Sequence, residues 1–267
     1  MNVPIVTVPI QRIEKSASQN AQDLVAVEEP LQIRISLAGE VTDLAVTMRT
    51  PGHDSELAAG FLLTEGIIRS SSDVEEIVHT GPGEITFRLK HDTIPAFSSR
   101  KFYVTSSCGI CGKASVDALR EAGCTAPPRQ EPIIRMETLQ SFPRQLIESQ
   151  AVFERTGGLH GAGLFDSQGQ LSLLREDVGR HNAVDKLVGG SLLGNRLPLH
   201  GHILMLSGRI SFELVQKAVM AGIPFIAAVG APSSLAIETA LQFGLTLVGF
   251  LRNERANIYC GAERLAI

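Results

Sequence analysis

Residues 203–250 read ILMLSGRISFELVQKAVMAGIPFIAAVGAPSSLAIETALQFGLTLVGF, and the architecture turns on them. Three short runs, Ile203–Leu206, Phe225–Val229 and Leu245–Phe250, are apolar at every position or nearly so. Continuous apolarity over four to six residues is the pattern of a strand covered on both faces. Between the runs lie two segments with helical spacing, Phe212–Ala221 and Ser234–Phe243, closed by Gly222 and Gly244. A glycine directly after the last periodic residue is a helix stop. The order βαβαβ predicts three parallel strands joined by right-handed crossovers.

Upstream, helices are expected at about 182–193 and 137–148, and a hairpin at Leu164-Phe165 and Leu171–Leu174 around the turn Asp166–Gly169. Further toward the N-terminus the period changes from 3.6 to 2. Leu31, Ile33 and Ile35, then Leu44, Val46 and Met48, alternate with polar residues around Ala38-Gly39-Glu40, which predicts a hairpin. A helix follows, started by Pro51, Asp54 and Glu56 and carrying Leu57, Ala58, Phe61 and Leu62 on its apolar face. Strands are expected at 74–79, 85–89 and 101–104, and a short helix at 115–122. The expected fold class is α/β. An N-terminal arm without a strong period covers 1–27, a small α+β domain 28–105, a CxxC loop and linker 106–130, and the larger domain 131–267.

Composition narrows the function. The chain has 267 residues, 44% of them hydrophobic and 19% charged, which is globular rather than disordered. With Lys+Arg at 24 and Asp+Glu at 28, the net charge of −4 argues against a protein that coats nucleic acid. Four cysteines are too few for a disulfide-stapled secreted domain. The first fifteen residues carry Pro4 and Pro9 and no long apolar core, so no signal peptide is expected. The uncharged stretch 218–237 is long enough to span a membrane, but Gly222, Pro224, Gly230 and Pro232 break it. A cytoplasmic protein without membrane spans is the expectation.

Parallel strands direct attention to the loops that follow them, since ligands bind at the carboxyl edge of such sheets. Those loops are Ser207-Gly208-Arg209-Ile210-Ser211, Gly230–Ser234 and Leu251–Arg255. They offer hydroxyls, helix N-termini and the guanidinium groups of Arg209, Arg252 and Arg255, which suits a phosphorylated ligand. The same serines suit helix caps and the same arginines suit solvent; the three loops occurring on one edge favour the ligand. Residues 175–182, Arg-Glu-Asp-Val-Gly-Arg-His-Asn, sit between a strand and a helix, with Asn182 placed as a cap, Asp185 three residues on, and His181 as a proton donor or ligand-orienting group. A glycine turn at 156–158 precedes His160.

Cys108-Gly-Ile-Cys111 is the sharpest chemical feature. Zinc needs four ligands, and Cys124 and Cys260 are each isolated. No histidine is followed by Glu two places on, so the zinc-deaminase signature is missing. A thiolate near Lys113, in a segment that Gly109 and Gly112 are expected to keep mobile, suits sulfur transfer through a persulfide. A dithiol oxidoreductase and a non-catalytic cofactor-binding chaperone remain as alternatives.

Several blocks, in order, resemble one family: MRTPG (48–52), ELAAGFLLTEGII (56–68), SSCGICGKAS (106–115), TGGLH (156–160), REDVGRHNAVDKL (175–187), SGRISFELVQKA (207–218), APSSLA (231–236) and TLVGFLR (246–252). From about Glu29 onward the chain resembles the formate dehydrogenase accessory sulfurtransferases, the FdhD family. Gly161, Gly230 and Cys260 depart from the expected alanine or serine, and threonine. The resemblance implies a cytidine-deaminase-like three-layer second domain and a homodimer. It implies a sulfurtransferase that takes sulfur from a cysteine desulfurase and passes it to the Mo-bis(molybdopterin guanine dinucleotide) cofactor, its bound substrate, for formate dehydrogenase, with no tightly held metal of its own. Cys108 would then carry the persulfide, with Cys111 as helper or alternate acceptor. Phe250, Leu251, Arg252, Asn253, Glu254 and Arg255 would bind the cofactor. Ser207, Gly208, Arg209 and His181 join them by position on the sheet edge.

Overall fold

The computed structural model describes residues 3–90, 127, 132–252 and 254–266. Cys108, Cys111, Lys113, Cys124 and Asn253 lie outside these residues, as do the expected strand at 101–104 and helix at 115–122.

Strands β1 (Ile5–Glu14) and β2 (Ala17–Ala26) form an antiparallel ribbon within the segment 1–27, where the sequence shows no strong period. Lys15 and Ser16, both at positive φ, make its two-residue turn. Neither strand has a fully buried residue, so no alternation marked them in the sequence. β3 (Glu29–Leu37) and β4 (Glu40–Arg49) form the expected hairpin, with Ala38 and Gly39 at positive φ in the turn. Helix α1 (Asp54–Thr64) follows, then β5 (Val74–Gly81) and β6 (Glu84–Leu89). The four strands form one sheet in the order β4-β3-β6-β5.

The second half begins with β7 (Ile134–Arg135), α2 (Met136–Ser149) and α3 (Ala151–Thr156). β8 (His160–Phe165) and β9 (Leu171–Asp177) are the expected hairpin, followed by α4 (Arg180–Leu193). The alternating β and α segments are β10 (Ile203–Leu206), α5 (Phe212–Met220), β11 (Phe225–Ala228), α6 (Ser234–Gln242) and β12 (Thr246–Arg252). β13 (Arg255–Cys260) and β14 (Leu265–Ala266) end the chain. β10, β11 and β12 are parallel as expected. The sheet is wider than the sequence indicated, in the order β13-β12-β11-β10-β8-β9, because β8 joins β10 antiparallel and β13 folds back on β12.

Side chains of the parallel strands point alternately to two cores. Ile203, Met205, Phe225, Ala227 and Val248 meet Leu139, Phe142 and Leu146 of α2 on one face, where Phe142 and Phe165 stack at 3.9 Å. Leu204, Leu206, Ile226, Ala228 and Leu247 meet α4, α5 and α6 on the other. That second core continues through α1 into Leu31, Ile33, Ile85 and Phe87 of the four-stranded sheet, so one apolar interior joins the two halves. α1 and α4 cross in backbone contact: a Cβ on Gly189 would lie 1.8 Å from the Glu56 carbonyl oxygen, and one on Gly60 would lie 1.9 Å from that of Asp185.

Candidate functional site

The block at 175–187 is mostly a junction between the halves. Asp177, fully buried, accepts the Thr50 amide at 3.1 Å and the Gly179 amide at 2.8 Å, and pairs with Lys186 at 2.7 Å. Lys186 also donates to the Thr50 carbonyl at 2.8 Å. Asn182 lies inside the first turn of α4 rather than capping it; its amide donates to the Met48 carbonyl at 2.7 Å and to Asp177 at 3.0 Å. The correction has a local cause. Asp177 already ties down Gly179, which takes the cap position and lets the helix start at Arg180. Deeper along α4, Asp185 receives Lys217 at 2.8 and 2.9 Å and the Thr64 hydroxyl at 2.9 Å. Burial raises the Asp185 pKa despite that cation. Arg49 grips Asp54 through two 2.9 Å bonds, both residues buried. The MRTPG and REDVGRHN blocks are therefore two sides of one buried polar seam.

What remains of the second block, Arg180 and His181, faces the carboxyl edge of the six-stranded sheet. The three loops there are joined by backbone hydrogen bonds: Gly230 donates to Gly208 at 3.1 Å, Ile210 to Ala231 at 3.0 Å, and Phe250 to Gly230 at 3.0 Å. The approach is close enough that a Cβ on Gly230 would stand 2.8 Å from the Gly208 carbonyl oxygen, so alanine there requires the loops to part slightly. Gly161 has a different compensation, since the buried Gln150 side chain occupies the space within 2.6 Å of where its Cβ would be.

The candidate residues fall into distinct roles. Ser207 is committed to β8, its hydroxyl accepting the Gly161 amide at 2.9 Å. Ser233 caps α6, accepting from the Ala236 amide at 3.3 Å. Ser211 occupies the cap position of α5, but its hydroxyl caps no backbone amide there and lies 3.2 Å from His181 Nε2. Arg209 is exposed. His160 stands beside Gly208, whose Cβ would lie 3.2 Å from His160 Nδ1. Burial, and then the charge of Arg180, lowers the pKa of His160. The same two causes hold His181 down to about 4. Both imidazoles are neutral at pH 7. Arg180 Nε is itself buried and has no hydrogen-bond partner among the described residues.

The segment after β12 is a tight hairpin with Arg252 opposite Arg255. Leu251 is fully buried in the core below α2, so its side chain packs there and does not face the edge. Arg252, Glu254 and Arg255 are exposed. Phe250, half-buried, sits in the irregular stretch of the ladder at φ +52°. The left-handed region costs an L-residue roughly 1–2 kcal/mol. The Arg252 and Arg255 guanidinium carbons lie 6.0 and 5.9 Å from its ring centroid, at the outer limit of a cation–π contact. A strained aromatic face with a cationic collar suits a planar, electron-rich base beside a phosphate.

The sequence profile of the FdhD/NarQ family matches residues 26–266. The chain belongs to the FdhD/NarQ family. It is 50% identical to the sulfur carrier protein FdhD of Streptomyces coelicolor, over 96% of this chain and 94% of that one. It is 43% identical to the sulfur carrier protein FdhD of Saccharolobus solfataricus, over 99% of this chain and all of the other. A crystal structure from Desulfotalea psychrophila, assigned as a formate dehydrogenase accessory protein, superposes with a TM-score of 0.77 at 29% identity, covering 99% of this chain and 100% of that one.

Two residues of the edge, Arg180 and His160, carry little signal in the sequence. Arg180 stands inside a block that reads as a helix cap, and His160 has no visible neighbour until β8 and β10 are paired. Among the described residues, no cluster of three or more His, Cys, Asp or Glu side chains is placed to hold a metal ion, and no helix is long and apolar enough to cross a membrane.

Proposed function

We propose that this protein is a cytoplasmic sulfur carrier for formate dehydrogenase maturation, a sulfurtransferase working between a cysteine desulfurase and Mo-bis(molybdopterin guanine dinucleotide). The observation that carries this reading is the near full-length match to relatives named sulfur carrier protein FdhD, in a chain that contains the Cys108-Gly-Ile-Cys111 pair. The layering of α2, the sheet and α4–α6 is read as the cytidine-deaminase-like arrangement, used to bind a guanine dinucleotide. The working unit is a homodimer.

In the first step the Cys108 thiolate attacks the outer sulfur of the desulfurase persulfide. The donor's S–S bond breaks, its thiolate leaves, and Cys108 carries the extra sulfur; no net oxidation occurs. In the second step the Cys111 thiolate attacks the inner sulfur of that persulfide. Hydrosulfide departs toward the metal of the bound substrate, and a Cys108–Cys111 disulfide remains, which a dithiol reductant reopens. The sheet edge holds the guanine-dinucleotide end of the substrate through Phe250, Arg252, Arg255, Arg209 and His181.

The test is intact-protein mass after incubation with a cysteine desulfurase and cysteine, with peptide mapping. The expected result is a gain of one sulfur atom at Cys108, reversed by reductant and absent from Cys108→Ala. A disulfide with no sulfur gain overturns the sulfur-carrier reading in favour of dithiol exchange.

A further inference from the structure

Helix α4 is held at two levels. Its middle crosses α1 in backbone contact at Gly60 and Gly189. Its first turn, which carries His181, is held by residues 50–56, the loop after β4 and the start of α1. Every polar group of Thr50 takes part. Its amide donates to Asp177 at 3.1 Å, its hydroxyl accepts the Val178 amide at 3.3 Å, and its carbonyl accepts Lys186 at 2.8 Å. Two residues back on β9, Arg175 grips both carboxylate oxygens of Glu56, which also meets His53 at 3.3 Å.

Asp177 passes that hold on to the helix. Its buried carboxylate takes four donors: the Thr50 amide and Lys186 on Oδ2, and the Gly179 amide and the Asn182 side chain on Oδ1. Gly179 is the cap from which α4 starts, so the place of His181, the second helical residue, follows from it. Replacing a buried ion pair by apolar residues of similar volume is often neutral for stability. Directed hydrogen bonds add what apolar contact does not, a fixed orientation. The 50–56 stretch also carries strain, since Gly52 and His53 have φ of +104° and +58° and His53 is not a glycine. Such conformations persist where the surroundings over-determine them, and they cluster where geometry serves function.

The groups that face His181 stand elsewhere. The Ser211 hydroxyl lies 3.2 Å from its Nε2 and Glu213 lies 3.9 Å away, while Arg180, Lys217 and His160 act on its charge. All belong to the second half of the chain, and the imidazole meets them only when the first turn of α4 is in place. We propose that Thr50 and Asp177 are positioning residues: residues 50–56 clamp the junction of β9 and α4, and Asp177 relays the clamp to Gly179, fixing where His181 stands. This inference rests on reading His181 as a substrate-holding group. Thr50 and Asp177 are buried and act through it.

The experiment uses the full chain and two readouts, GDP affinity by calorimetric titration and the His181 pKa by NMR of its imidazole. Asp177→Asn offers one acceptor oxygen where the carboxylate offers two, so the Thr50 or the Gly179 amide loses its partner whichever way the carboxamide turns. It is combined with Lys186→Met, which removes the cation that would otherwise be buried alone. The double variant is expected to fold, to bind GDP about tenfold or more weakly than the wild type, and to let His181 titrate well above 4, toward the ordinary 6.5. Thr50→Val keeps the shape and removes only the acceptor of the Val178 amide. It is expected to move both readouts the same way by less, and Thr50→Ser to restore them; this pair decides should the double variant not fold. A seam that is only structural lowers the unfolding temperature and leaves both readouts of the folded protein unchanged, and that result overturns the inference. So does a change in one readout without the other. Failure of the wild type to bind GDP overturns the cofactor reading instead, and the His181 pKa alone then decides whether the clamp acts.

Discussion

Phe250→Gly separates strain from packing at the sheet edge. The backbone there has φ +52°, in the region where glycine is the usual occupant of a bulge. Glycine removes a penalty of roughly 1–2 kcal/mol. Against that stand the lost burial of a half-exposed ring, about 1 kcal/mol, and the extra freedom of glycine in the unfolded chain, about 0.5–1 kcal/mol. The balance is within about 1 kcal/mol of zero, so the unfolding temperature should move by no more than about 4 °C. Truncating a well-packed phenylalanine costs about 3–5 kcal/mol. Binding should respond differently. A base stacked on an aromatic ring contributes about 1–3 kcal/mol, so GDP affinity should fall between about fivefold and a hundredfold. Calorimetric unfolding and titration with GDP measure the two effects on one sample. A fall of about 8 °C or more would show that Phe250 is a packing residue, and unchanged GDP affinity would show that no base rests on it.

Three further outcomes follow from buried groups. His181 has its pKa held near 4, against 6.5 for an unperturbed imidazole. The unfolded chain therefore binds a proton that the folded one refuses between those values. Stability is complete above pH 6.5 and declines as pH falls toward 4, by up to about 3 kcal/mol from this group. His181→Gln should flatten urea midpoints measured across that window, and an unchanged slope would refute the assignment. Lys217→Met leaves Asp185 buried without its cation and should cost about 3–5 kcal/mol by urea unfolding. Adding Asp185→Asn should recover much of that loss, and full additivity of the two changes would refute the pairing. The Cys260 thiol is pushed up to about 11 by burial and donates to the Leu245 carbonyl at 3.3 Å. Iodoacetamide at about pH 7.5 should leave it unmodified in the folded protein, as peptide mapping would show, and rapid labelling would contradict its burial.

The parallel strands were legible because burial on both faces writes an unbroken apolar run, and Gly222 and Gly244 mark the helix ends. The β1–β2 ribbon was not, because strands that bury no residue completely keep no period. β13 escaped for a related reason: all but the first of its residues are partly exposed, so they do not alternate sharply. At the site, the three loops were predictable from topology alone. The roles of their residues were not, since whether a serine caps a helix, as Ser233 does, or bonds a neighbouring strand, as Ser207 does, depends on pairings distant in sequence. The seam roles of Asp177 and Asn182 were hidden for the same reason. Their partners, Thr50 and Met48, lie more than a hundred positions away.

The α1–α4 crossing has a practical consequence for dissecting the molecule. Helix α4 is buried along most of its length and gives its glycines to the backbone of α1, while Asp177 and the helix's own Lys186, paired with each other, each also bond Thr50. A fragment beginning at Pro132 would bare that helix and leave the buried Asp177–Lys186 pair without its two hydrogen bonds to Thr50, so the larger half is not a portable module. Fusions and labels belong instead on the β1–β2 turn, where Lys15 and Ser16 are exposed at the end of the ribbon.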